Sequence, residues 1–231
     1  MIKIILHKKG QMTVWIIIAV FLAAAIILFL FIEREVSEPI EVAVEEGNPE
    51  QFIDKCVKNY VEEVENILLE QGGFVEPKKS RMYKGINISY LCYNKGNYEP
   101  CINQHPIFLS EVQEEIKNYI SPRVDACFNE LKKELEKRNF EVSMNEMEMN
   151  VELAPKRIYV GVKRELVIGK RGESSRLENF DVEIISPLYD LTRVAMEIAN
   201  QEAEYCYFEF AGYMILYPEF KIKKDSLSEG T

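Results

Sequence analysis

Five cysteines and two histidines carry the most spacing-dependent chemistry in these 231 residues. Cys92 and Cys101 flank Asn94-Lys95-Gly96-Asn97, a stretch rich in turn formers. A bond between them closes a short loop, worth about 2.7 kcal/mol in the chain-entropy relation. Cys56 and Cys127 each fall on the apolar face of a helical pattern. A bridge there closes a far longer loop, worth about 4.4 kcal/mol by the same relation, and two buried free thiols are the alternative. Cys206 is left over, either buried or paired between chains. No two cysteines stand at C-x-x-C spacing, so the pattern offers neither a zinc site nor a thioredoxin-like couple.

Catalytic groups are harder to place. His105 lies beside Pro106 and near Cys101, and a single imidazole fits a cap or turn better than a metal set. No G-x-S-x-G elbow occurs, and Gly169-Lys170-Arg171-Gly172 lacks the spacing of a phosphate loop. Glu146, Glu148 and Glu152 alternate along an extended pattern, which makes them the solvated face of a strand. The expectation is a protein that is not an enzyme, with no cofactor and no metal.

Two surface chemistries remain. Asn87-Ile88-Ser89 is a sequon for glycosylation at Asn87. Tyr83, Tyr90, Tyr93 and Tyr98 crowd the Cys92–Cys101 turn, with Tyr93 and Tyr98 the recognition candidates. Tyrosine gives a large contact area at low entropic cost, although strand preference explains aromatic residues here as well.

These groups must be positioned outside the cytoplasm for disulfides to persist, and the N-terminal region supplies the means. Val14 to Ile32 is an unbroken run of nineteen apolar residues, roughly 28 Å long as a helix. Fourteen of them are Val, Ile, Leu or Phe, which favours insertion by roughly 6 kcal/mol. His7, Lys8 and Lys9 precede the run, while Glu33, Glu35, Glu38 and Glu41 follow it. Positive flanks stay inside, so the N-terminus is expected in the cytoplasm and residues 33–231 outside. A cleaved secretory signal fits less well, because the run is long and Glu33-Arg34-Glu35 follows it. Residues 1–32 hold three basic residues and no acid, leaving 25 basic against 38 acidic residues in 33–231, a formal −13. Such a field repels phosphate backbones and excludes nucleic acid as a partner.

The segment before the run adds a resemblance. Lys8-Lys9-Gly10-Gln11-Met12-Thr13 resembles the class III signal of archaeal type IV pilin-like proteins. The resemblance covers about thirty residues. It implies cleavage on the cytoplasmic side between Gly10 and Gln11, with the apolar helix retained and able to pack into a filament core. The fifth residue after that point is Trp15, where the family often carries Glu. That departure fits a minor pilin-like or merely processed surface protein better than a major filament subunit.

The outer region reads as α+β. Residues 1–13 form a basic cytoplasmic segment, 14–32 the transmembrane helix, 33–48 an acidic linker, and 49–231 an extracytoplasmic domain of long helices and an antiparallel sheet. Asn48-Pro49 opens a helix whose apolar stripe runs from Phe52 to Leu68, and Gly72-Gly73 ends it. Residues 83–103 suggest one hairpin. A second helix carries Val112 to Leu135 on one face, with Ser110 and Gln113 as a capping box and Ser121-Pro122 as a kink. Strands are expected at 140–144, 147–153, 157–162, 165–168 and 180–185, with 170–179 a polar loop. Ser186-Pro187 opens a third helix, and 217–223 is expected as a last strand. The function implied is a single-pass cell-membrane protein, structural or adhesive, with a pilin-like subunit as its more specific form. Its partners are the lipid bilayer and like subunits or other surface proteins. The alternative is an unprocessed, membrane-tethered ligand-binding or accessory domain.

Overall fold

The computed structural model describes Leu22 and residues 48–94, 96 and 99–224. Gly10, Gln11, the 14–32 run apart from Leu22, residues 33–47 of the linker, and Tyr98 lie outside the described residues. From Asn48 onward the chain forms one compact unit of mixed helix and antiparallel sheet.

Helix α1, Pro49–Gln71, starts as its sequence dictates. Asn48 is extended, and its Oδ1 accepts the Glu50 amide at 3.0 Å, with Pro49 at the first helical position. Gly72 ends the helix in the left-handed region at φ 75°, and its amide donates to the Leu68 carbonyl. Helix α2, Phe108–Lys137, runs antiparallel to α1. Cys56 and Cys127 are disulfide-bonded with their Cα atoms 6.6 Å apart. The Tyr119 hydroxyl donates to Glu63 at 2.6 Å, and the Val75 amide donates to Glu115 at 2.9 Å. Partial burial, then the bond to Glu63 and its negative charge, push the Tyr119 phenol above its usual range.

Two expectations for α2 are corrected. The helix begins at Phe108, ahead of Ser110, and Ile107 precedes it without a side-chain cap. Gln113 instead donates to the Val151 carbonyl at 3.1 Å, tying α2 to the sheet. The helix also continues through Pro122. Pro122 and Asn118, whose carbonyl loses its partner, both face water, and Arg123 donates to the next carbonyl, that of Tyr119, at 2.7 Å. On the opposite face Ile116, Ile120 and Val124 are fully buried and keep the helix continuous.

The main sheet contains β5, Glu141–Met144; β6, Glu148–Ala154; β7, Arg157–Lys170; and β8, Glu173–Ile185. Strand β7 is central, with β8 along one edge and β6 followed by β5 along the other, all antiparallel. The expected split of β7 at Lys163 does not occur. A register irregularity against β8 between Lys163 and Leu166 carries the strand through, and Arg164 points inward. Its guanidinium is nine-tenths buried, donates to Asp125 at 2.6 Å and to the Asn145 carbonyl at 3.0 Å, and lies over Phe128. A satisfied arginine on the core face is what broke the apolar alternation in the sequence.

The expected 170–179 loop is likewise mostly strand. Only Arg171-Gly172 turns, with φ 53° and 91°, the geometry of a tight hairpin turn. Residues 173–176 are exposed, so no period-two apolar signal marks them, yet they pair with 167–170 of β7. Helices α1 and α2 cover one face of the sheet, α1 against β8 and α2 against β6 and β5. There Phe128 meets Phe180 edge-on at 5.1 Å.

Helix α3, Leu188–Tyr205, follows Ser186-Pro187 as expected. Ser186 Oγ accepts the Leu188 amide and donates to Glu65 of α1 at 2.6 Å. The expected strand at 217–223 is absent, because the preceding residues fold into a short helix α4, Phe210–Leu216, and the chain from Tyr217 packs back on it.

Replacing Cys56 and Cys127 together by Ala is expected to lower unfolding stability by about 4 kcal/mol. Denaturant unfolding of the purified chain measures this, and a loss under about 1 kcal/mol would show that helix packing alone confines the unfolded chain.

Candidate functional site

The residues 80–103 form two small hairpins rather than the single one expected. Strands β1, Ser80–Tyr83, and β2, Ile86–Ser89, are joined by Lys84-Gly85, both at positive φ. Strands β3, Cys92–Tyr93, and β4, Ile102–Asn103, make the second. Two residues per strand cannot hold a hairpin in water. The Cys92–Cys101 disulfide, with Cα atoms 5.5 Å apart, closes it covalently.

The stapled hairpin is docked on α3. Asn103 donates to the Asn200 side-chain oxygen at 2.8 Å, and Cys92 Sγ packs 3.7 Å from the Ala199 carbonyl. A disulfide sulfur carries no proton, so the second contact is packing rather than a hydrogen bond. The Gln104 amide donates to the Leu91 carbonyl at 2.7 Å and ties the two ends of the loop together. This frame presents Tyr93 and Ile102, direct cross-strand neighbours and both nearly half exposed. Tyr90 stacks on Tyr93 with ring centroids 5.8 Å apart, which narrows the orientations open to Tyr93. Met82 and Ile86 of the first hairpin are also exposed. Asn87 stands exposed on β2, in reach of solvent.

His105 closes the loop leading into α2. Its amide donates to Asn103 Oδ1 at 2.9 Å, Nδ1 lies 2.7 Å from Glu111, and its ring rests 4.6 Å from that of Phe74. Every polar contact of this residue serves the turn. Glu148 and Glu152 lie exposed on β6. Glu146 lines an open cleft of about 960 Å³ with Ser121, Asp125, Met147 and Arg164, where Arg164 is committed to Asp125 and Asn145. Among the described residues no three His, Cys, Asp or Glu side chains converge on a metal position. Among them also, no helix is long and apolar enough to cross a membrane.

Cys206 proves exposed, unpaired within the chain and left-handed at φ 53° where α3 ends. Around it Tyr205 and Tyr207 are exposed, and Ile215, Leu216 and Tyr217 continue the apolar surface through α4. This aromatic end was not anticipated. Its signal is the near-absence of polar residues in Phe210–Leu216, a run too short for a core helix.

No protein-family model, no curated protein and no solved structure matches this chain. The geometry therefore stands by itself: a disulfide-closed hairpin that leaves Tyr93 and Ile102 exposed.

Replacing Tyr93 and Tyr98 by Ser is expected to abolish attachment of cells bearing the protein to a surface, with the unfolding midpoint nearly unchanged. Unaltered attachment would restrict the tyrosines to packing.

Proposed function

We propose that this chain is a single-pass, membrane-anchored surface protein of structural or adhesive role, with a cytoplasmic N-terminus and residues 33–231 outside. The observation that carries the reading is the nineteen-residue apolar run, preceded by lysines and followed by glutamates. The two cysteine pairs at bonding distance support it, because such bonds persist in oxidising compartments. The exposed tyrosines and aliphatics, among them Tyr93, Ile102, Tyr205 and Tyr207, suit contact with another surface.

In its more specific form, the protein is processed between Gly10 and Gln11 and is assembled as a minor pilin-like subunit. Gly10 leaves the scissile backbone accessible, and Lys8 and Lys9 hold it at the cytoplasmic surface. Trp15 in place of an acid removes the group that would neutralise a neighbour's new amine, which places the chain outside the bulk of a filament.

Intact mass and N-terminal sequencing of the protein from its native membrane test this directly. A chain beginning at Gln11 is expected. A chain beginning at Met1 would contradict the pilin-like form and leave a plain signal anchor.

A further inference from the structure

The C-terminal end of the domain leaves a concentrated apolar surface in water. Tyr205, Tyr207, Ile215, Leu216 and Tyr217 are all exposed, with Ile215 and Leu216 at 80% and 74%, and α4 has no buried residue. The segment is nonetheless ordered from behind. Phe208 is buried, with its ring 5.4 Å from that of Tyr213, and Tyr213 in turn packs on Tyr217 and Phe220. Glu209 caps α4 by accepting the Gly212 amide at 3.2 Å, and the Ile222 amide reaches Met214 Sδ at 3.2 Å. A scaffold on one side thus holds aliphatic residues outward on the other.

The charge beside this surface is distinctive. Lys221, Lys223 and Lys224 are exposed within eight residues of Leu216, in an outer region whose formal charge is −13. Of the acids in the segment, Glu209 is taken by the Tyr207 hydroxyl and the Gly212 amide, and Glu219 remains in water. Aliphatics flanked by tyrosines and lysines match the layers of an anionic membrane surface, acyl boundary, interface and phosphate in turn.

We propose that residues 205–224 form a second membrane attachment, an interfacial segment that lays the domain on a bilayer surface bearing anionic headgroups. The proposal rests on the reading that the 14–32 run anchors the chain. Given that anchor, the chain itself tethers the domain to the bilayer. Tethering also raises the local concentration of the membrane surface, so a weak interfacial contact suffices. A second copy is the poorer occupant, because a two-fold contact through this patch would bring two sets of three lysines into one interface.

Cys206, the free thiol inside the patch, provides the probe. The full chain, labelled there with an environment-sensitive fluorophore, is reconstituted into vesicles of equal parts phosphatidylcholine and phosphatidylglycerol. A severalfold rise in emission over detergent, quenched by spin-labelled lipid, is expected. Ile215→Glu with Leu216→Glu should abolish it, and Lys221→Glu with Lys223→Glu and Lys224→Glu should weaken it. Both sets are surface changes, and unchanged circular dichroism confirms that the variants fold. A probe in water on chains that resist carbonate extraction overturns the proposal while leaving the anchor intact. Chains extracted by carbonate overturn the anchor and the proposal with it. Emission that rises with protein density and is insensitive to lipid quencher assigns the patch to a second copy and also overturns the proposal.

Discussion

The antiparallel contact between α1 and α2 is the constraint on which the rest of the domain depends. Ile53, Val57, Val61 and Val64 from one helix and Ile116, Ile120, Val124 and Phe128 from the other are fully buried, each burial worth about 1.5–3 kcal/mol. The Cys56–Cys127 bond ties this pair and removes the longest loop from the unfolded chain. The sheet is laid on the same two helices, and Arg164 crosses from β7 to Asp125 on α2 as a satisfied polar link. Because Asp125 is half exposed, that link orients the sheet more than it stabilises it.

The exposed apolar residues lie away from this centre. The Cys92–Cys101 hairpin and the aromatic end after Tyr205 are both carried by α3, the first on Ala199 and Asn200 and the second about one and a half turns further on. Neither adds much to the core. Each is ordered by a local device, a disulfide in one case and stacked aromatic rings in the other. Surface that is held in place yet left uncovered is what contact with a partner or a membrane requires.

The central helices were largely readable from residues alone, since Asn48-Pro49 and Gly72-Gly73 state the ends of α1 and two apolar stripes state the buried faces of both. The place of Cys56 and Cys127 on those stripes left a bridge and two buried free thiols both open, and the structure brings the pair to bonding distance. Other elements were hidden for physical reasons. The first half of β8 faces water and shows no alternation, and Arg164 interrupts the pattern of β7 from within the core. Pro122 advertises a break that the solvent side of α2 tolerates. Residues 217–223 read as a strand, whereas Phe208, Tyr213 and Phe220 stack around a helical turn. For the site, Tyr93 is exposed beside the Cys92–Cys101 bond, while the aromatic end carries too little periodicity to be found without coordinates.

The proposed topology, with a stapled domain outside the cell, makes one direct demand on cysteine chemistry. Intact cells producing the protein are treated with a membrane-impermeant maleimide mass tag, with and without prior reduction under denaturing conditions. No more than one tag per chain, at Cys206, is expected without reduction, and five after reduction and denaturation. Five reactive thiols without reduction, reached only after the cells are lysed, would place the domain inside and contradict the proposed topology together with both bridges.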